Sequence, residues 1–304
     1  MTNDIWILVT ASLVAISCSL VGVFLILRRM SLIGDAISHS VLLGIVLAYL
    51  ITGSRSMVAM MIGATLIGLI TAWLSSAVHR LGNLQADASI GIIFTWFFAM
   101  GVILISLYAG QVDLDQECVL YGEIAFAPFD TLVWGETDIG PRAFWMILIV
   151  FLFNLALILF AFERFKLVAF HPALAVSLGV SVSFWHYLLM TMVSLTTVAS
   201  FDAVGAILVV ALLVIPASSA YLVATSLKGM LWLAAAYAQV SVLLGYGVAV
   251  ILDSSIAASI VVMAGVLLMV TVAIQQLQKY LTRHFAGDSI ETTARQGEIG
   301  LDSI

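Results

Sequence analysis

The chain has 304 residues, of which 63% are hydrophobic and only 9% are charged, and its net charge is −6. Soluble domains carry about 25% charged residues, so this composition excludes a soluble fold, whose surface must stay largely polar. The acidic balance argues against a nucleic-acid partner, which requires a basic surface. At roughly 20 apolar residues per span, we predict an all-α, polytopic transmembrane helical bundle of about eight or nine spans.

Nine apolar runs predict the helices in chain order. They cover residues 5–27, 32–52, 57–78, 89–109, 143–162, 184–200, 203–215, 230–252 and 256–278. Pro216 ends the short seventh run, which leaves eight crossings if that run is re-entrant, and a further short helix is predicted at about 217–227. We therefore assign residues 1–283 to a transmembrane domain and the polar residues 284–304 to a flexible cytoplasmic tail.

The basic residues predict the orientation of the spans. If the spans alternate, one side of the membrane holds Arg28, Arg29, Arg80, Arg164, Lys166, Lys228, Lys279 and Arg283. The opposite side holds only Arg55 and Arg142. Because Lys and Arg accumulate in cytoplasmic loops, we expect the N-terminus outside and the C-terminus in the cytoplasm.

The second run contains two ionisable residues that an apolar helix would not normally carry. Asp35 and His39 are four residues apart, so they share one helix face, about one and two turns from the cytoplasmic end. Each costs about 2.5–3.5 kcal/mol within the membrane, so each needs a reason to be there. A carboxylate with an imidazole suits Mn²⁺, Fe²⁺ or Zn²⁺ better than Na⁺ or Ca²⁺. The alternative is a self-neutralising structural pair.

Two further groups of acidic residues are candidate functional positions. The outer loop at about 111–142 includes Asp113, Asp115 and Glu117, which could attract cations to the mouth of a pathway. An ordinary solvated loop or a docking surface is the alternative. Asp202 stands where the seventh run begins, and it could cap that helix or line the pathway.

Several catalytic motifs are absent from the sequence. The chain has no G-x-x-x-x-G-K-[ST] phosphate loop and no H-E-x-x-H zinc pair. No serine or cysteine stands beside a plausible general base, so we assign no catalytic residue and expect any ATP hydrolysis on a separate chain.

Five stretches together resemble the bacterial ABC-transporter permease family that imports zinc, manganese and iron. In family order they are LILRRMSLIGDAISHSVLLGIVLAYL (25–50), QADASIGIIFTWFFAMGVIL (85–104), VDLDQECVLYGEIAF (112–126), FERFKLVAFHPALAVSLGV (162–180) and SFDAVGAILVVALLVIPASSAYLVA (200–224). The third is most similar to the manganese/iron-leaning members. The chain departs from the family at Leu43, where proline is usual, and at His171, where aspartate is usual.

The resemblance implies one subunit of a larger importer in the bacterial cytoplasmic membrane, with a fold of the vitamin B12/metal-chelate type. A second permease chain, identical or paralogous, would pair with it, two ATPase subunits would bind inside, and an extracytoplasmic metal-binding protein would deliver the ion. Asp35 and His39 would form a transient site for the transported divalent metal ion, with no permanently bound cofactor. The coupling helix that contacts the ATPase would comprise Ala217, Ser218, Ser219, Ala220, Tyr221 and Leu222.

We therefore expect a permease subunit of an ATP-driven importer for Mn²⁺, with Zn²⁺ or Fe²⁺ as further cargo candidates. One alternative is a secondary, proton-coupled divalent cation transporter, because the missing phosphate loop fits it equally well. Another is an ABC permease for an organic metal chelate, which would need a wider route and no Asp/His pair.

Overall fold

A computed structural model describes residues 2–54, 56–108, 124–134 and 137–301. The α-helices are α1 (Thr2–Leu27), α2 (Leu32–Thr52), α3 (Met57–Gly82), α4 (Ala86–Tyr108), α5 (Arg142–Phe170), α6 (Pro172–Ser177), α7 (Val182–Val223), α8 (Leu227–Leu252) and α9 (Ile256–Leu301). Nine candidate membrane spans occur within these residues, because α7 supplies two of them. The predicted helical bundle with about nine spans is confirmed.

Helices dominate because a backbone in hydrocarbon must satisfy its own hydrogen bonds. The exception is a short segment between α4 and α5, where a 3₁₀ helix (Ile124–Phe129) is followed by strands β1 (Thr131–Trp134) and β2 (Thr137–Pro141). The strands pair antiparallel, with Val133 opposite Asp138. This hairpin is an addition to the predicted all-helical fold, and it lies in the predicted outer loop.

Helix α7 joins two groups of helices. On one side it packs against α1, α5, α8 and α9, and on the other against α2 and α3, while α4 packs on α2 and α3. The largest core cluster includes buried side chains of α1, α2 and α7, among them Phe24, Ile37 and Leu213. Helix α2 is therefore positioned by α3, α4 and α7.

The break in α7 does not fall where sequence analysis placed it. Gly205 has φ 76° and ψ 164°, a conformation that only glycine adopts readily, and it divides the element into two helices. Pro216, which we expected to end the helix, lies inside the second of them. Proline removes one helical hydrogen bond, but transmembrane helices tolerate this loss when neighbouring groups surround the site.

The predicted separate helix at about 217–227 is therefore wrong. Residues 217–223 continue α7, the chain is non-helical at residues 224–226, and α8 begins at Leu227. The separate short helix in this half of the chain is instead α6, which starts with Pro172 and stands between α5 and α7. The last helix extends to Leu301, so residues 284–301 of the predicted tail are also helical.

The alternation of the spans gathers the basic residues at one end of the bundle. We call this the basic end, and it contains Arg28 after α1, Arg80 near the end of α3, Lys166 near the end of α5 and Lys228 at the start of α8. Asp35 and His39 lie in the first two turns of α2, close to the same end.

Candidate metal-binding site

Helix α2 presents the Asp35–His39 pair on its least buried stripe. Half-buried positions recur along the helix at Asp35, His39, Leu42 and Tyr49, at the spacing of one helix face. The opposite face is buried, and it includes Ile33, Ile37 and Val41. A single chain therefore leaves the stripe with the carboxylate and the imidazole partly open.

The two side chains lie close enough to act on one ion. His39 Nε2 lies 3.5 Å from Asp35 Oδ1, and the side chains are 33% and 41% exposed, respectively. This distance follows from the i, i+4 spacing, as sequence analysis predicted. Both groups can turn a lone pair toward an ion on the open side of the helix.

Two phenylalanines of α4 hold the His39 ring. Its centroid lies 5.6 Å from that of Phe94 in a stacked arrangement, and 5.6 Å from that of Phe98 in an edge arrangement. Sequence analysis did not assign a role to Phe94 or Phe98, although their i, i+4 spacing within IIFTWFFAM was a usable signal. These contacts restrict the rotation of the imidazole. The polar neighbour of the ring is the Asp35 carboxylate.

A close helix crossing positions the site-bearing helix. A Cβ built on Gly44 would lie 2.5 Å from the carbonyl oxygen of Gly63 on α3, so only glycine permits this contact. Leu43, where the resembling family usually has proline, is 2% exposed and packs with Ile93 and Phe97. Packing against α3 therefore fixes α2 on the side away from the open stripe, whereas α4 packs beside the stripe and contacts His39.

The pair does not complete a metal coordination shell within the chain. Across the described ranges, no group of three or more His, Cys, Asp or Glu side chains is arranged to hold a metal ion. Transition-metal sites commonly use four to six ligands, so two side chains leave positions for water or for a second chain.

Four other predicted site residues lie outside the described part of the chain, wholly or with their side chain. Asp113, Asp115 and Glu117 lie outside the described residues. Asp202 lies on α7, three residues before the break at Gly205, and its side chain is likewise outside the described part. The roles predicted for these four residues stay predictions.

The segment that we expected to contact an ATPase is largely buried. Ala217, Ser219 and Ala220 are each at most 1% exposed, whereas Tyr221 is 55% and Leu222 37% exposed. Tyr221 lines a groove of about 970 Å³ at the basic end. The end of α5 and the α7–α8 connection form the rest of this groove, which carries Arg164, Lys166 and Lys228.

Comparison with known proteins gives one family and several close relatives. The sequence model of the ABC 3 transport family matches residues 3–275. The manganese transport system membrane protein MntD of Bacillus subtilis is 48% identical over 266 residues, which cover 88% of this chain and 90% of that protein. The zinc transport system membrane protein TroD of Treponema pallidum is 41% identical over 261 residues, covering 86% and 71%.

A solved structure shares the fold. PsaBC from Streptococcus pneumoniae, solved in complex with a Fab, matches with a TM-score of 0.73 and 33% sequence identity. The match covers 89% of this chain and 91% of that one.

Proposed function

Since this chain belongs to the ABC 3 transport family, we propose that it is the membrane-spanning subunit of an ATP-driven importer whose cargo is Mn²⁺. The family and its relatives support the coarser statement that the chain is a permease subunit of a metal ABC importer in a membrane. The transit site, the energy source and the choice of metal belong to the proposal.

The observation that carries the proposal is the Asp35–His39 pair. A carboxylate and an imidazole 3.5 Å apart, on the open stripe of a membrane helix, provide oxygen and nitrogen ligands for a borderline divalent ion. Two protein ligands leave the remaining positions to water, so the ion would be held weakly. A weak site suits transport, because an ion that binds too tightly cannot leave.

A second permease chain would cover the open stripe of α2. Its own copy of the pair, or the equivalent residues of a paralogue, would then add ligands from across the interface. The partial exposure of Asp35 and His39 in a single chain supports this arrangement. The metal path would lie between the two chains and would open alternately to either side of the membrane.

The ATPase subunits would bind at the basic end, which we assign to the cytoplasm. The sequence has no phosphate loop of its own, so an ATP-driven cycle would require a separate ATPase chain. The short exposed helix α6 and the groove with Tyr221 supply a surface for that contact. Leu222 lies beside this surface. The part of α7 that supports the surface would comprise Ala217, Ser218, Ser219 and Ala220.

The opposite end would receive the ion from an extracytoplasmic metal-binding protein. The acidic residues Asp113, Asp115 and Glu117 would attract cations there. Asp202, three residues before the break in α7, would cap the helix that follows or line the pathway.

Metal uptake in a strain that lacks this gene tests the proposal. The restored gene should return uptake of radioactive manganese in excess of zinc or iron, with each metal assayed separately. Restored uptake of zinc alone would refute the manganese assignment and leave the metal importer intact.

Co-purification distinguishes the energy source. An ATPase chain recovered with this permease supports the ATP-driven cycle. Transport of free Mn²⁺ by the chain alone in proteoliposomes with a proton gradient would instead favour the secondary transporter.

A further inference from the structure

A small cavity lies at the basic end, separate from the Asp35–His39 pair. Its volume is about 160 Å³, and the α1–α2 turn, the end of α3 and the first turns of α4 and α7 enclose it. Arg28 and Arg80 contribute to its wall, together with Ser75 and His186. The metal assignment uses none of these four residues.

The two arginines have no counter-ion in the described ranges of the chain. Within the residues that the structure describes, neither Arg28 nor Arg80 forms an ion pair or a side-chain hydrogen bond. Asp87 follows the start of α4, but it is exposed and does not line the cavity. Burial lowers the pKa of the Arg28 guanidinium from its ordinary value, although arginine remains charged. An anion would compensate this partly desolvated positive charge.

Two buried polar atoms in the same wall also lack partners. Ser75 is 4% exposed and His186 is 8% exposed, and in the described part of the chain neither Ser75 Oγ nor His186 Nδ1 has a hydrogen-bond partner. His186 Nε2 lies 3.5 Å from Ser76 Oγ, which itself donates to the carbonyl oxygen of Ala72 at 2.8 Å. A buried hydroxyl without a partner is unfavourable, so a ligand with an acceptor oxygen for the Ser75 hydroxyl would be stabilised here.

Two helix starts reinforce the positive character of the cavity. Ala86 begins α4 and Val182 begins α7, and both residues line the wall. The N-terminus of a helix carries a partial positive charge and favours anions. The arginines, the unpaired Ser75 hydroxyl and these helix ends therefore favour a negatively charged oxygen ligand.

The surface beside the cavity indicates a lipid rather than a soluble anion. Leu66, Ile70 and Trp73 are exposed at 54%, 43% and 55%, and they form a stripe along α3 that leads to Arg80 at helical spacing. A free phosphate would gain nothing from that stripe, whereas an acyl chain would lie against it. Basic pockets between membrane helices are known binding sites for anionic headgroups.

We propose that this cavity binds the phosphate group of an anionic phospholipid, held by Arg28 and Arg80 and by a hydrogen bond from Ser75 Oγ. The lipid would connect the turn before α2 to the ends of α3, α4 and α7. It would thereby brace the helix that carries Asp35 and His39 without contacting the pair.

Lipid binding to the full-length chain tests this proposal. The chain is purified in neutral detergent, stripped of bound lipid, and titrated with phosphatidylglycerol or phosphatidylcholine under native mass spectrometry. Phosphatidylglycerol should bind the wild type at least about fivefold more tightly, since each arginine near a membrane surface contributes about 1 kcal/mol. Arg80→Gln should lose about fivefold of that affinity and leave phosphatidylcholine unaffected.

Arg29→Gln is the matched control. Arg29 is exposed, adjacent to Arg28 and outside the cavity, so its loss should change phosphatidylglycerol affinity less than about twofold if the site is specific. Ser75→Ala should weaken binding without changing the charge. If Arg28→Gln unfolds the chain, Arg80→Gln and Ser75→Ala still test the site, because Arg80 is exposed and the Ser75 side chain is small.

Three results would overturn the lipid site. Equal affinity for the two lipids would contradict an anion site. An Arg29→Gln loss as large as that of Arg80→Gln would indicate diffuse surface attraction. Stabilisation of the wild type by excess inorganic phosphate, absent from Arg80→Gln and not reproduced by phosphatidylglycerol, would assign the cavity to a free phosphate.

Discussion

Two histidines near the same end of the bundle have opposite electrostatic surroundings. His39 is 33% exposed and has the Asp35 carboxylate 3.5 Å away. His186 is 8% exposed and shares a cavity with Arg28 and Arg80. The neighbouring charges, rather than the imidazole itself, therefore decide whether such a position attracts a cation or an anion.

The largest expected effect comes from removing the cation-attracting pair. Asp35→Ala or His39→Ala, in a complex shown to assemble, should lower manganese uptake at least about tenfold, because each variant removes one of the two proposed protein ligands. Asp87→Ala is the control, since Asp87 is an exposed carboxylate near the same end that lies outside both the pair and the cavity. Uptake at the wild-type rate in both variants would show that Asp35 and His39 form a structural pair rather than a metal site.

The next effect tests the packing that presents the pair. Gly44→Ala should destabilise the protein by about 1–3 kcal/mol, because its Cβ would collide with the Gly63 backbone and force α2 away from α3. A lower melting temperature of the purified chain in detergent is the readout. Gly247→Ala, where an added Cβ meets nothing within 4 Å, should leave it unchanged or slightly higher. Equal melting temperatures of Gly44→Ala and Gly247→Ala would contradict the close crossing of α2 and α3.

A smaller effect concerns the rings that hold His39. Phe94→Leu and Phe98→Leu should each lower manganese uptake about threefold to tenfold, since an aromatic contact contributes about 0.5–1.5 kcal/mol to fixing the imidazole. Trp96→Leu serves as the comparison, because Trp96 is 55% exposed and makes no ring contact with His39. A loss confined to Trp96→Leu would show that the ring contacts do not position His39.

The smallest expected effect is the difference between two neighbouring serines of the anion cavity, Ser75 and Ser76. Ser75 Oγ has no partner, so Ser75→Ala should weaken phosphatidylglycerol binding by about fivefold, the value of one hydrogen bond. Ser76 Oγ already donates to Ala72, so Ser76→Ala should change binding less than about twofold. Native mass spectrometry measures both, and a reversed order would reject Ser75 as a ligand.

Much of the architecture was predictable because a membrane helix must be apolar along its length. The nine runs of the sequence correspond to the nine candidate spans, with ends within a few residues for most of them. The predicted run at 203–215 is too short, because proline ends helices in water but not this membrane helix. In the bundle, α7 continues through Pro216 and breaks at Gly205 instead.

The candidate site was only partly predictable. The spacing of Asp35 and His39 placed both on one face, since that follows from the helix period alone. Phe94 and Phe98 come from another helix, so their contacts with His39 required the packing of α4 on α2. The Arg28–Arg80–His186 cavity likewise joins three distant parts of the chain.

By itself, the sequence determined that this protein crosses a membrane many times and that one helix carries a carboxylate and an imidazole on a common face. These properties depend on local composition and on the helical repeat. Only the tertiary structure decided which face of α2 stays open, which rings hold His39, and which charges surround His186. Those properties depend on how separate helices cross, as the close contact between Gly44 of α2 and Gly63 of α3 illustrates.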